Sequence, residues 1–429
     1  MAARKALIVT YYWPPAGGPG VQRVVKFVRQ LADLGWQLVI LTVEKPTSPV
    51  SDPSLLSHIP PDCKVYKTKS LEPFGAYRSF TGKAAGEAIS KDIIVRRSDE
   101  KWNEKIARLI RANLFIPDAR LGWLPFLLLT GRRIIRRERP TVIFSTSPPH
   151  SLQLGAALLA RLSGCHWVAD FRDPWVEAYW ESEIEKSRFS FVLNRFLEHR
   201  VLSSADQVTT VSEGIGALFH RKSRCFYTVL YNGFETINTE SVTAARFRLL
   251  FIGNLSKYQS PEPIFRALAQ LPAGVLAQTE IVFLGKVFDD FTPLFSHYRQ
   301  LPIVRQAYLP FDAMMTYARA ASLLLLIFHQ TSYTRDYVTA KLFDYLALRK
   351  PILALGLKGS IGEHILTETA SGCLFDYGDT AGIANYIRQQ YESWLLTGSL
   401  LLPDHPALER YTTRHNVIQL DKLLNKEFV

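Results

Sequence analysis

The chain opens on a strand, a glycine-rich break, a helix and a second strand, and that unit restricts the fold to the α/β class. Residues Ala6 to Tyr12 are apolar and stop at Pro14-Pro15. The run AGGPG follows, then a helical pattern from about Val21 to Leu34 ended by Gly35, then an apolar strand from Gln37 to Val43. Strands that alternate with helices build a parallel sheet covered on both faces. The loop lacks the GxGxxG spacing of dinucleotide sites. Gly17, Gly18 and Gly20 let backbone approach a ligand closely, or simply make a tight turn.

The alternation continues. Thr141 to Ser145 reads as a strand, TSPPHS as a turn, Leu152 to Leu162 as a helix and Trp167 to Asp170 as a strand ending in DFRDPW. Ligands of parallel α/β sheets bind at the carboxyl ends of strands, which places that turn well for chemistry. Asp170, Arg172 and Asp173 are its charged groups, and a purely structural ion-pair network among them is the alternative. His150, after Pro148-Pro149, is a candidate site residue in the preceding turn, with a structural histidine as the alternative. Ser212 is a plausible helix cap.

A second α/β set begins at Arg248 with the strand LLFIG. A chain of 429 residues is too long for one core. Two doubly wound domains are therefore expected: 1–240, with an excursion over 47–140, and 241–400, followed by a terminal helix in 401–429.

Within the second set, Asp336 and Asp344 stand eight residues apart in TRDYVTAKLFDYLALRKPILAL, with Lys341 three residues before Asp344. The spacing predicts a helix from about Tyr337 to Lys350 with Lys341 and Asp344 near one face. A helix N-terminus with a cation can hold a diphosphate, and a carboxylate further along can accept bonds from ribose hydroxyls. An ordinary surface charge pair is the bland alternative.

The net charge of +12 calls for an anionic partner: nucleotide phosphate, nucleic acid or an acidic membrane surface. The excess concentrates between Lys101 and Pro140, where basic residues far outnumber Glu104, Asp118 and Glu138. A basic amphipathic helix over Trp102 to Leu114, followed by Phe115, Trp123, Phe126 and Leu127, suits an interfacial membrane contact, or else a helix packing its apolar side inward. No recognised nucleic-acid module accompanies the charge. Cys63, Cys165, Cys225 and Cys373 show no metal-ligand spacing and fit a reducing compartment. Ala6 to Val9 is too short for a signal-peptide core, and no run nears the ~20 apolar residues that span a bilayer. A soluble or peripheral protein is expected.

In their order along the chain, YYWPPAGGPGVQR, TSPPHS, VADFRDPW, VSEG, LYNGFE, FIGNL and AKLFDYLALRKPILAL resemble the retaining family 4 glycosyltransferases, and within them a bacterial branch that builds surface polysaccharides. The resemblance implies a GT-B fold, with two Rossmann-like domains facing across a cleft, a nucleotide-sugar donor on the C-terminal domain and an acceptor on the N-terminal one. It also implies that no metal or other cofactor is required, and that the last helix returns to the first domain. Asp336 and Asp344 match the family's paired carboxylates, where glutamate is usual; Asp344 takes the ribose-binding position and Asp336 lies near the donor sugar. Gly253-Asn254-Leu255 carries asparagine where arginine is commoner, which leaves Lys257 and Lys341, with Arg335 behind them, to face the diphosphate. Gly17 and Gly18 are assigned to the donor as well. Asp170 faces the reacting sugar, Arg172 orients sugar or phosphate, and Asp173 and His150 lie on the acceptor side.

The expected partners are a nucleotide-sugar donor, a glycan or lipid-linked oligosaccharide acceptor and an anionic membrane surface, with no nucleic acid. The expected place is cytoplasmic, peripheral on the inner face of the plasma membrane. Two rivals stand beside this expectation: a non-catalytic glycosyltransferase-like membrane partner, and a sugar-nucleotide epimerase or phosphorylase of the same fold.

Overall fold

The computed structural model describes residues 4–48, 50–71, 113–178, 181, 186–236, 244–307, 309, 311–331 and 335–427. The chain forms two compact units: residues 1–231 with 416–429, and residues 232–415. The expected basic helix over Trp102 to Leu114 lies almost wholly outside the described residues, as do residues 72–112 of the 47–140 excursion.

Among the described residues, the sheet of the first unit has seven parallel strands: β1 (Lys5–Thr10), β2 (Gln37–Val43), β3 (Lys64–Thr68), β4 (Val142–Ser147), β5 (His166–Phe171), β6 (Gln207–Thr210) and β7 (Tyr227–Val229), in the order β3-β2-β1-β4-β5-β6-β7. Alternate strand positions Ala6, Ile8, Leu38, Ile40, Val142 and Phe144 share a core with Val21, Val24, Val25 and Val28 of the Pro19–Asp33 helix and with Val417, Leu420 and Leu423 of the last helix. The intervening positions Leu7, Val9, Val39, Leu41 and Ile143 are equally buried on the opposite face, because strand side chains alternate. The Leu124–Glu138 helix contacts β2 and β3, and the Ser151–Ser163 helix contacts β1, β4 and β5. The last helix is pinned by its polar groups too: Asn416 Oδ1 accepts from the Tyr231 amide at 2.7 Å, and Asp421 Oδ1 accepts from Trp36 Nε1 at 2.6 Å.

Residues read as an irregular excursion include an ordered edge strand, β3. Its alternation is weak, since only Thr68 is buried, and an edge strand that leaves its side chains half in solvent carries little hydrophobic signal.

The second unit has β8 (Phe247–Ile252), β9 (Thr279–Leu284), β10 (Ile303–Gln306), β11 (Leu323–Ile327), β12 (Ile352–Leu355) and β13 (Gly372–Phe375) in the order β10-β9-β8-β11-β12-β13. Phe247, Leu249, Phe251, Leu323, Leu325 and Leu353 pack against Ile264, Phe265, Ile387 and Trp394 of the flanking helices. Both sheets place their first strand in the middle and reverse direction there, next to β4 in one unit and β11 in the other. A crevice opens at such a reversal because the two neighbouring connections leave towards opposite faces.

The helix expected from Tyr337 begins at Ala340 and ends at Leu348. Thr339 is extended with ψ 143°, so the chain enters the helix three residues later than its polarity pattern implies.

Candidate functional site

Both candidate regions sit at these reversals. In the first unit, the glycine loop leaves β1, the SPPH turn leaves β4 and the FRDPW turn leaves β5. The amide of Gly17 donates to the Val50 carbonyl at 2.9 Å, and a Cβ at Gly17 would lie 2.9 Å from Cβ of Asp52. Gly18, at φ 100°, caps the Pro19–Asp33 helix and has open space where a side chain would project. Gly20 is the tightest of the three: a Cβ there would fall 1.7 Å from Arg172 Nη1. Arg172 in turn donates through Nε to the Ser147 carbonyl at 3.1 Å and through Nη2 to that of Pro148 at 2.9 Å. Its guanidinium therefore staples the three loops together.

Asp170 does not have the position expected of it. Its side chain is fully buried, and four donors occupy its carboxylate. Arg23 makes a bidentate pair at 2.7 and 3.1 Å, Thr146 Oγ1 lies at 2.6 Å and Thr209 Oγ1 at 2.8 Å. With those bonds made the carboxylate has no edge left for a sugar, so it acts as a structural anchor beneath the strand ends. The structural alternative was the better one for this residue, although its partner is Arg23 and not Arg172.

His150 is likewise inside. Its ring stacks on Trp175 at 5.0 Å with 8° between planes, and neither ring nitrogen reaches solvent. Burial pulls the imidazole down to about 4, so the ring is neutral at pH 7. Its place is in an aromatic stack with Phe171 and Trp175 behind the turn, not on an open acceptor face. Asp173 is half-buried in the turn itself. The turn is held from behind: Trp175 Nε1 donates to Asn194 Oδ1 at 2.8 Å, and Lys222 pairs with both Glu177 and Glu198.

In the second unit, the loop after β8 and the first turn of the Ala340–Leu348 helix converge. Gly253, at φ 94°, lies under the Lys341 side chain, and a Cβ there would come 2.8 Å from Lys341 Cε. Gly285, at φ 127°, would place a Cβ 2.7 Å from the Gly253 carbonyl oxygen, so only glycine lets these two loops touch. Lys341 Nζ rests 4.4 Å from the Phe251 ring centroid and donates to the Asn254 carbonyl at 3.2 Å. Desolvation pulls its ammonium down to about 8. Thr339 makes no side-chain cap bond to the helix N-terminus beside it. Asp344 is half-buried one turn further along that helix.

Asn254 and Lys257 are exposed on the same loop, with Lys257 Nζ 4.7 Å from the Tyr258 ring centroid. Arg335 and Asp336 are exposed in the segment that leads to the helix. Lys341 and Asn254 are thus in contact, whereas Gly17, Gly18, His150, Asp170, Arg172 and Asp173 belong to the first unit.

Several residues that shape these regions gave little warning. Arg23 is one: a single arginine on an otherwise apolar helix face, among Val21, Val24 and Phe27, is the signal that could have found it. Tyr345 is another. Its hydroxyl accepts from the Ile252 amide at 2.9 Å and donates to the Leu325 carbonyl at 3.2 Å, which ties the helix to β8 and β11. Gln259 accepts from the Ser256 amide and donates to the Ile327 carbonyl, joining the loops after β8 and β11. Among the described residues no cluster of His, Cys, Asp and Glu is arranged to hold a metal ion.

Residues 17–233 match the family described as the glycosyl transferase 4-like domain. No curated protein sequence matches. Among solved structures, sucrose-phosphate synthase from Thermosynechococcus elongatus aligns with a TM-score of 0.62 at 14% identity, over 99% of this chain and 98% of that one. HepE of Anabaena, solved in complex with UDP and glucose, gives 0.59 at 15% identity over 99% and 100%. The lipopolysaccharide outer core galactosyltransferase WaaB gives 0.53 at 12% identity over 99% of both chains. At these identities the likeness establishes the fold, which is that of the GT-B glycosyltransferases, as expected from the sequence motifs.

Proposed function

The chain belongs to the glycosyl transferase 4-like family and is a glycosyltransferase, and from that premise we propose that it moves a sugar from a nucleotide-sugar donor, with retention of anomeric configuration, to a growing lipid-linked glycan of the cell surface. The observation that carries this reading is the preset cation at the end of β8. Lys341 is held over glycine backbone beside an uncapped helix N-terminus, the combination that accepts a diphosphate. HepE, a neighbour of the same fold, holds UDP and glucose.

In glycosyl transfer, negative charge grows on the departing diphosphate as the sugar becomes oxocarbenium-like. Groups already aimed at that charge lower the barrier most, because they need no reorganisation. Lys341, the first-turn amides of its helix and Lys257 take this role. Asp344 accepts bonds from the ribose hydroxyls, and Asp336 lies near the donor sugar with Arg335 behind it. Asn254 contributes its backbone turn and not a charge. On the first unit, Asp173 lies on the acceptor side, in the turn that Arg172 holds. With Asp170 saturated by Arg23 and two threonines, that carboxylate does not serve as nucleophile. Retention is then achieved by same-face attack, with a phosphate oxygen taking the acceptor proton. No metal is needed for this chemistry when a lysine and helix amides face the phosphates. A lipid-linked acceptor places the enzyme at the inner, anionic face of the plasma membrane, and the net charge of +12 supports that place.

Thermal-shift screening against UDP-, GDP- and dTDP-sugars tests the donor half. A ligand at roughly 100 times its dissociation constant stabilises by about 2.7 kcal/mol, a readily visible shift. The expected result is a selective shift with one nucleotide class that Asp344→Ala abolishes. A shift that survives Asp344→Ala would remove that residue from the site, and no shift with any nucleotide would favour a non-catalytic partner.

A further inference from the structure

The expected membrane contact rested on Phe115, Trp123, Phe126 and Leu127, and the structure turns that segment inward. Trp123 and Leu127 are fully buried, and Phe115 and Phe126 are half-buried. The apolar side of the Leu124–Glu138 helix packs on the Ser151–Ser163 helix, where Gly131 and Gly155 admit Leu159 and Leu127 at close range. The Arg188–Ser204 helix packs beside the latter, so the three lie side by side as one layer.

The outer surface of this layer has an unusual composition. Phe189, Val192 and Phe196 recur at helical spacing along the Arg188–Ser204 helix and are 74%, 63% and 58% exposed. Leu129, Leu158 and Leu162 are exposed on the other two helices. The same helices carry Arg188, Arg195 and Arg200 on one and Arg132, Arg133, Arg136 and Arg137 on another, all exposed. Leu129 and four of the arginines, 132, 133, 136 and 137, line an open depression of about 490 Å³. Among the described residues of these three helices no Asp or Glu is exposed. Glu138 is buried against Lys64, and Glu198 against Lys222.

A helix normally turns its aromatic residues into the core, so a stripe of exposed phenylalanine needs a partner that covers it. A second copy of this chain is a poor candidate, since a two-fold interface would press arginine against arginine. Aromatic side chains beside arginines, on helices whose described residues expose no acid, match the boundary of an anionic bilayer. There the rings enter the acyl region while the guanidinium groups stay at the phosphates. We propose that the outward faces of the 124–138, 151–163 and 188–204 helices are the membrane-docking surface, with Phe189 and Phe196 as the inserted groups and the 132–137 arginines binding lipid phosphate. This deepens, and rests on, the reading of a lipid-linked acceptor at an anionic surface.

Sedimentation of the full chain with vesicles tests it. Mixed phosphatidylglycerol and phosphatidylcholine vesicles should carry the protein down, and pure phosphatidylcholine should not. Phe189→Ser with Phe196→Ser should lower the partition coefficient about tenfold per ring, on the order of 100-fold together. The same double variant should keep its nucleotide-sugar thermal shift, which shows that it folds and binds donor. Unchanged vesicle binding by the double variant would overturn the proposal, as would absence of wild-type binding to the anionic vesicles. So would a wild-type dimer in lipid-free sedimentation that the double variant breaks. Failure of docking with the donor shift intact leaves the transferase reading standing, and loss of donor binding with docking intact does the reverse.

Discussion

Replacing Arg23 with methionine should destabilise the first unit by about 3–5 kcal/mol, the cost of leaving a buried carboxylate without its cation. Arg23 and Asp170 are both essentially without solvent exposure, and the guanidinium also donates to the Leu230 carbonyl at 3.0 Å. For a unit of this size each kcal/mol moves the thermal midpoint by roughly 2–4 °C, so a fall of about 10 °C is expected by calorimetry. Asp170→Asn should show a comparable stability loss, because it strands the arginine instead. A sugar-facing Asp170 would behave differently: turnover would collapse while the melting temperature stayed put. The two measurements on one variant separate an anchor from a catalytic group.

Lys341→Ala should lower turnover by ~100-fold or more, the scale of one lost electrostatic donor at a developing charge, with little change in melting temperature. Its pH dependence has a definite sign. Desolvation holds the folded pKa at about 8, below the ordinary 10.5. The ammonium is charged below that value and becomes neutral as pH rises through it, so donor affinity should weaken above about pH 8 in the wild type and not in Lys341→Ala. A bound diphosphate favours the charged form, so donor binding should take up a proton between about pH 8 and 10, measurable by titration calorimetry in buffers of different ionisation enthalpy. Because the folded pKa is lowered, the residue costs stability at neutral pH, and that cost fades between about pH 8 and 10.5.

Most strands of both sheets are written plainly in the sequence because they are apolar throughout. Gln37–Val43 has the bounds its composition implies. What the sequence hides is set by tertiary partners. β3 is half-exposed at an edge and shows no clear period. Asp170 sits at the carboxyl end of β5, where ligand-binding groups concentrate. That position cannot show that a helix 147 residues earlier in the chain delivers an arginine into its carboxylate. His150 follows the same logic, since a histidine in a polar-looking turn is placed inside by a stack with Trp175. Lys341 is the opposite case. Its distance from Asp344 and its place at a helix start are local facts, and the structure adds the two glycines that fix where its ammonium rests.

The Arg188–Ser204 helix marks another limit. Its hydrophobic residues are spread around the axis, so periodicity alone reports a long helix and not which rings face water. The basic, aromatic surface becomes visible only when Ser190, Asn194, Glu198 and Val201 turn inward to hold the FRDPW turn and the neighbouring helix.

The most direct test of glycosyl transfer follows label from donor to acceptor. The protein is incubated with a nucleotide sugar, radiolabelled in the sugar and selected by the thermal shift, and with lipid-linked oligosaccharide in anionic vesicles; the organic phase is then counted and the product's anomeric configuration read by NMR. Transfer predicts label in the lipid fraction, dependent on Lys341, with the anomeric configuration of the donor kept. Label that stays with the nucleotide or appears only as free or rearranged sugar would contradict it, and an inverted linkage would contradict the same-face mechanism.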